Sequence, residues 1–181
     1  MSLPISSAVP SRTVTALVPS VATSITIGGD GTFAFSAAHT GLHGGEFEPL
    51  HGHSFTVTLC LHGTPDDTGM ICDFTGVKKA LASAIAPLKR RTLMPASSPA
   101  CRDYREGSQV VIECGSKLYS LPADDVVLLP VTNTTTEAVA GWLLEQVLPA
   151  LSGPGLHRAE LTLAEASDTC ATAAVDLAGA P

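Results

Sequence analysis

Residues 51–63 alternate so regularly in polarity that a half-buried β-strand is the one element they suit. The odd positions read His51, His53, Phe55, Val57, Leu59 and Leu61, and the even ones Gly52, Ser54, Thr56, Thr58, Cys60 and His62. Side chains two residues apart share a face of a strand. Two imidazoles therefore continue a core-facing apolar row. The stretch before it, about 31–39, repeats the arrangement: Phe33, Phe35, Ala37 and His39 share one face, with Ala34, Ser36 and Ala38 on the other. Pairing these two strands would bring three histidines together at one end of the sheet.

Three neutral imidazoles at the edge of an apolar sheet suit a catalytic zinc, because three protein ligands leave the fourth tetrahedral position for water or substrate. A structural zinc would want a fourth ligand. A single histidine on an apolar face is more often a satisfied core residue, and the metal reading rests on three of them, His39, His51 and His53, converging. Spacing alone does not separate zinc from nickel or iron, since affinities for such sites overlap.

A chain of 181 residues that is 45% hydrophobic can bury a real core and is most simply one domain. Residues 1–28, with Pro4, Pro10 and Pro19 among serines and threonines, read as a loose lead-in with room for one short strand, leaving 29–181 as the domain. A formal charge of −7 and a pI near 5.2 argue against a nucleic-acid partner. No segment reaches the roughly 18 apolar residues of a membrane span, and Met1–Ser20 lacks a basic region followed by an apolar block, so a cytoplasmic protein is expected. Five cysteines at 60, 72, 101, 114 and 170 form no CxxC pair and read as reduced thiols.

Beyond the two strands, Gly63-Thr-Pro-Asp-Asp-Thr-Gly69 is a turn, and Asp73 is a helix N-cap. Val77, Leu81, Ile85 and Leu88 then mark a helix over about 75–88. Segments 109–113 and 118–121 flank Cys114-Gly-Ser-Lys117 and read as a hairpin within an irregular stretch, 95–130. Thr134 followed by Glu137 is a capping box for a second helix, whose apolar face is Val139, Trp142, Leu143, Val147 and Leu148 and which Pro149 closes. The last strand, about 158–165, places Ala159, Leu161, Leu163 and Glu165 on one face. A carboxylate ending an apolar row must be paired, because burying it alone is costly. A planar heterocycle with adjacent N–H donors would satisfy it bidentately; a one-residue slip would instead turn it to solvent.

The series Phe35-Ser-Ala-Ala-His39, Leu50-His-Gly-His53, Gly69-Met-Ile-Cys-Asp-Phe74, Thr135-Thr-Glu137 and the strand ending in Glu165 resembles the 6-pyruvoyl-tetrahydropterin synthase family, which includes the 6-carboxy-tetrahydropterin synthases. The resemblance covers about residues 31–170 in the right order. It implies an α+β tunnelling fold, or T-fold: a four-stranded antiparallel sheet with two helices on one face, here with an inserted hairpin. It implies homo-oligomers, trimers or hexamers, with pterin sites between subunits. Carried over, His39, His51 and His53 are the zinc ligands, Glu165 anchors the amino-pyrimidine edge of a pterin, and Thr135, Thr136 and Glu137 match a neighbouring substrate-contact segment. Glu137 also has a capping role to play.

Two departures bear on the chemistry. Common family members carry a cysteine four residues before the first histidine of His-Gly-His, where this chain has Phe47; one residue later stands Glu48. Glu48 matches the glutamate-x-x-His-Gly-His pattern of variant members that cleave 7,8-dihydroneopterin triphosphate to 6-hydroxymethyl-dihydropterin. There it would act as general base; otherwise it is a solvated loop carboxylate beside Glu46. Where most members have Asp-His, this chain has Lys89-Arg90 before Arg91-Thr92-Leu93. A permanently charged arginine cannot relay a proton as histidine does. The pair would bind a substrate phosphate or carboxylate, or complement a helix C-terminus. The expected function is a zinc-dependent lyase acting on the side chain of 7,8-dihydroneopterin triphosphate or a related pterin. The alternatives are the same fold and zinc site turned to a non-pterin small molecule, and a catalytically silent metal- or pterin-binding protein.

Overall fold

The computed structural model describes residues 22–153 and 155–177. In chain order the strands and helices are β1 (Thr23–Gly28), β2 (Ala34–His39), β3 (Leu42–His43), β4 (Glu46–Phe47), β5 (His51–Gly63), α1 (Phe74–Ile85), β6 (Arg91–Pro95), β7 (Cys101–Glu106), β8 (Gln109–Cys114), β9 (Lys117–Pro122), β10 (Val126–Leu129), α2 (Thr136–Val147), β11 (Leu156–Ala164) and β12 (Cys170–Asp176).

The alternating strand β5 is the axis of the fold. Along one edge it takes β2, from Ala34 opposite Thr56 to His39 opposite His51, and then β1, from Gly28 opposite Thr58 to Thr23 opposite Gly63. Its other edge takes β11, and β12 lies outside that, all antiparallel. With β1 and β2 occupying one edge end to end, five antiparallel strands stand where the sequence led to four. The break between them falls at Gly28, whose φ of +91° suits glycine and where a Cβ would lie 2.4 Å from the Val57 carbonyl oxygen. The sheet goes further than expected on the β2 side, where β6 and then β10 join in parallel, giving seven strands in all.

The first 28 residues are not all lead-in. Thr23–Gly28 is a strand of the main sheet, with Ile27 in the core, so the boundary at 28 moves toward the N-terminus; residues 1–21 lie outside the described residues.

Both helices cover one face, where Phe55, Val57, Leu59 and Leu61 of β5 are fully buried with Ala159, Leu161 and Leu163 of β11. Asp73 caps α1 by accepting from the amides of Thr75 and Gly76 at 2.9 and 3.3 Å, and Val77, Leu81, Ala84 and Ile85 face inward. The second helix begins one residue later than the capping-box reading. Thr135 is the N-cap, accepting from the Ala138 amide at 3.3 Å, while the Thr134 hydroxyl is committed elsewhere. Glu137 then lies at the second helical position, where its charge suits the positive end of the helix dipole but cannot close a capping box.

The expected hairpin at 109–121 forms as β8 and β9, but it belongs to a three-stranded meander that β7 completes. This insert has its own small core of Phe47, Met94, Val110, Ile112 and Cys114, separate from the main one. Contrary to the reduced-thiol reading, Cys101 and Cys114 are disulfide-bonded. They are direct cross-strand partners in β7 and β8, which places their Cβ atoms close enough to bridge. Among the described residues no helix is long and apolar enough to cross a membrane.

Thiol titration of the unfolded, unreduced protein should count Cys60, Cys72 and Cys170 alone. A bond closing a 13-residue separation is worth about 3 kcal/mol on the chain-entropy scale, so reduction should open the insert before the main sheet in denaturant. Five reactive thiols would refute the bond.

Candidate metal centre and its cleft

The register of β2 against β5 assembles the histidines. His39 stands directly opposite His51, and Ala37 opposite His53, so the three rings form a triangle with centroids 4.6, 5.2 and 4.9 Å apart. One potential ligand atom from each lies within 4.8 Å of the others. Phe55 closes the base of the group, edge-on to His39 and His53 at 5.6 Å each.

The outer nitrogens are already committed. His39 Nδ1 lies 2.7 Å from the Thr134 carbonyl oxygen and His51 Nδ1 lies 2.8 Å from that of Pro49. A carbonyl accepts only from a protonated nitrogen, which leaves the lone pair on each Nε2, the tautomer a metal ligand needs. His39 Nε2 is buried and has no hydrogen-bond partner among the described residues. A buried nitrogen without a partner is costly unless something else fills its lone pair, and a metal does that. Burial is also the largest influence on His39 acidity and holds its pKa below the ordinary value, with His51 and His53 acting in the same direction and the Thr134 hydrogen bond opposing. The neutral imidazole is thereby favoured, as ligation requires. The three residues could hold a metal ion.

A cleft of about 420 Å³ opens from the histidines, and its wall includes Glu48, Thr135, Thr136, Glu137 and Glu165. The expected site residues other than Lys89 and Arg90 therefore share one cavity. Glu165 sits one residue past the end of β11, half-buried rather than fully so, and continues the row of Ala159, Leu161 and Leu163. The Thr136 hydroxyl donates to its Oε2, and Oε1 has no partner among the described residues. Glu48 is exposed to the cleft, and its Oε2 lies 3.3 Å from where a Cβ on Gly41 would stand. Phe47, at the position of the family cysteine, is buried in the core of the insert, and Leu50 packs on the same core. The loop carrying Glu48 is thus anchored on both sides by the inserted meander.

Arg90 lies elsewhere. With Arg91 it lines a different cavity, alongside Ser36, Ala38, Gly52 and Ser54 on the helix-free side of the sheet, and Lys89 lines neither.

Sequence reasoning missed the polar clamp beneath the cleft. The Thr134 hydroxyl donates to the Thr40 carbonyl at 2.8 Å, the Thr40 hydroxyl to the Glu48 carbonyl at 2.6 Å, and the Asn133 amide brackets Leu42, accepting from its N–H at 2.8 Å and donating to its C=O at 3.0 Å. The one signal in the sequence was the polar run Thr132-Asn-Thr-Thr-Thr136, too long for a cap alone.

Three histidines that could hold a metal ion thus stand at the end of a mixed sheet and open on a cleft lined by carboxylates, on an α+β fold of one sheet and two helices. The 6-pyruvoyl tetrahydropterin synthase family profile matches residues 30–175, and the chain belongs to that family. It is similar to a Pyrococcus abyssi protein provisionally named 6-carboxy-5,6,7,8-tetrahydropterin synthase, 35% identical over 99 residues that make up 55% of this chain and 58% of that one. A Methanocaldococcus jannaschii protein of the same provisional name is 28% identical over 67% of this chain and 75% of its own length. Among solved structures, a Plasmodium falciparum 6-pyruvoyl tetrahydropterin synthase superposes with a TM-score of 0.80 at 23% identity, over 86% of this chain and 99% of that one. A Plasmodium vivax 6-pyruvoyl tetrahydropterin synthase does so with 0.77 at 25% identity, over 87% and 99%.

Thr134→Val removes a donor and leaves the buried Thr40 carbonyl unpaired, so it should cost about 1–3 kcal/mol in denaturant unfolding. An unchanged midpoint would show that the clamp carries no strain of its own. The lowered His39 pKa also sets a sign. Its contribution to stability is full above about pH 6.5, where folded and unfolded imidazoles are both neutral, and is lost as pH falls through the depressed folded value, because the unfolded chain binds the proton first. Metal-free protein should therefore lose stability on acidification below that point, and His39→Ala should flatten the dependence.

Proposed function

We propose that this protein is a zinc-dependent lyase that cleaves the side chain of 7,8-dihydroneopterin triphosphate or a closely related pterin. The observation that carries the reading is a single cleft holding three histidines, an exposed carboxylate beside them and a half-buried carboxylate with a free oxygen. His39, His51 and His53 hold the zinc, His39 and His51 through their uncommitted Nε2 atoms. Bound there, zinc supplies an electrophile that polarises an oxygen of the substrate side chain.

Glu165 anchors the pterin. One of its oxygens is held by the Thr136 hydroxyl, and the other accepts from the amino-pyrimidine edge, with Thr135 and Glu137 bordering the same pocket. Glu48 removes the proton of a side-chain hydroxyl. The carbon–carbon bond next to that hydroxyl then breaks, and its electron pair stays with the carbon attached to the pterin, which takes up a proton to leave a hydroxymethyl group. The departing fragment leaves as an aldehyde. A fold neighbour supports this use of a carboxylate: a Plasmodium vivax 6-pyruvoyltetrahydropterin synthase of 23% identity was solved with a catalytic glutamate replaced by alanine.

The family resemblance extends the proposal to a homo-oligomer with sites completed between subunits. Met70 and Phe74, large apolar side chains exposed beside a 440 Å³ cleft, are suited to burial against a second copy. A cytoplasmic location remains part of the proposal, although the Cys101–Cys114 bond is unusual in a reducing compartment. One observation favours a non-pterin substrate in the same site: Phe47, where the resemblance places a cysteine, is buried in the core of the insert and does not line the cleft.

The deciding experiment incubates zinc-loaded protein with 7,8-dihydroneopterin triphosphate and identifies products by mass. Formation of 6-hydroxymethyl-dihydropterin, lost in the metal-free protein, establishes the lyase. No conversion with zinc bound turns the search to other substrates. Glu48→Ala should retain zinc and lose about 10²-fold or more in kcat. Gly41→Ala should lower kcat with little change in KM, since the added methyl would stand 3.3 Å from Glu48 Oε2 and shift that carboxylate from its place in the cleft.

A further inference from the structure

The helix-free face of the sheet carries a second cavity, of about 600 Å³, whose lining points to a ligand of its own. Its floor is two cross-strand pairs of β2 and β5. Ser36 stands opposite Ser54, and Ala38 opposite Gly52, so two hydroxyls lie side by side next to a patch with almost no side-chain bulk. Neither hydroxyl has a hydrogen-bond partner among the described residues. One wall is Arg90, Arg91 and Thr92; Asp125 stands on the rim.

Neither arginine is spent on a carboxylate, although the Arg91 guanidinium donates to the Arg90 carbonyl at 3.4 Å. Lys89, Arg90 and Arg91 are three of the ten basic residues in a chain of net charge −7, and none of them forms an ion pair among the described residues. By contrast, Arg102 and Arg158 are bound to carboxylates at 2.7–2.8 Å. Arg90 is also the sole non-glycine residue with positive φ among the described residues, at 56°, held there by its amide donating to the Ser36 carbonyl at 2.7 Å. Left-handed backbone is unfavourable for a side chain with a Cβ, and glycine or asparagine would relieve it. Arg90 thus combines an unfavourable backbone conformation with a guanidinium placed on the wall of the cavity.

We propose that this cavity is an oligophosphate-binding site, in which Arg90 and Arg91 grip a di- or triphosphate chain with the Ser36 and Ser54 hydroxyls donating from the floor. Guanidinium forks match phosphate oxygens bidentately, and two of them with two hydroxyls offer more donors than one carboxylate can accept. The site is separate from the histidine cleft, on the opposite face of the same two strands, and the two cavities share only His53 at their border. It therefore stands whether or not the cleft processes a pterin. The chain bound could be free oligophosphate or the tail of a phosphorylated metabolite.

Calorimetric titration of zinc-loaded and metal-free protein with inorganic triphosphate tests this. Binding should occur in both forms, weaken as salt rises, and fall about tenfold or more in Arg90→Gln/Arg91→Gln, whose surface positions leave the melting temperature near the wild-type value. Asp125→Asn should tighten binding by removing a like charge, an effect that a purely structural role for these residues would not produce. A parallel titration with adenosine triphosphate identifies the source: equal affinity marks the free chain, and a much tighter ester marks a phosphorylated metabolite. The assignment is overturned if the wild-type protein binds no triphosphate at low salt, if the double variant binds it equally well, or if binding requires the metal, which would place the anion in the histidine cleft.

Discussion

The site depends on a buried polar seam between two chain segments far apart in sequence. Residues 39–42 leave the end of β2, and residues 133–135 lead into α2; they are joined by His39 Nδ1 to Thr134 O, Thr134 Oγ1 to Thr40 O and the Asn133 amide to Leu42. Thr40 and Thr134 are both fully buried, so each of these bonds replaces water that is no longer available. An unmade bond there costs more than a made one contributes. The seam is consequently close to all-or-none. It holds the tautomer of the first histidine, fixes where α2 starts and sets the distance between the metal centre and Thr136, which in turn holds Glu165.

From that seam the position of Glu48 follows by a second route. The chain turns back through β3 and β4 at Gly44-Gly45, whose positive φ values of 59° and 88° suit a tight hairpin, and returns beside Gly41. The Glu48 amide donates to the Gly41 carbonyl at 2.9 Å and its carbonyl accepts from Thr40, so the backbone of Glu48 is bound on both sides while its side chain is left to the cleft. Phe47 and Leu50 then anchor the loop in the core of the insert. Phe47 serves as a hydrophobic anchor, and the carboxylate beside it gains a rigid platform.

Where a residue's neighbours were set by strand alternation, the sequence was legible. The limits of β5, the shared face of the three histidines, the Asp73 cap and the placement of Glu165 at the end of a buried row all come from period-two patterning or cap chemistry and hold in the structure. Elements lacking such a signal were not found. Strand β6 buries Leu93, Met94 and Pro95 in succession, showing no alternation because neighbours cover both its faces, and β12 is too rich in alanine to declare a face. The capping box was assigned to Thr134 because four hydroxyl residues stand near the helix start and local spacing cannot say which of them a distant segment will claim; Thr40 claims Thr134, and the cap passes to Thr135. The disulfide was invisible for a related reason: without β7, nothing placed Cys101 opposite Cys114.

The same alternation that exposes the site also separates two environments that share a backbone. His51 and His53 face the helices, whereas Gly52 and Ser54, which alternate with them, face the other way; along β2, Ala37 and His39 alternate with Ser36 and Ala38 in the same manner. Substitutions on the helix-free side can change charge and ligand there while the histidine triangle keeps its register, because register is fixed by the buried row and by the seam at Thr134. A sheet of this kind lets one face diverge while the other is held. Arg90 is tied by its amide to Ser36 yet lies outside the histidine cleft, so its charge can change without disturbing the three histidines that could hold a metal ion.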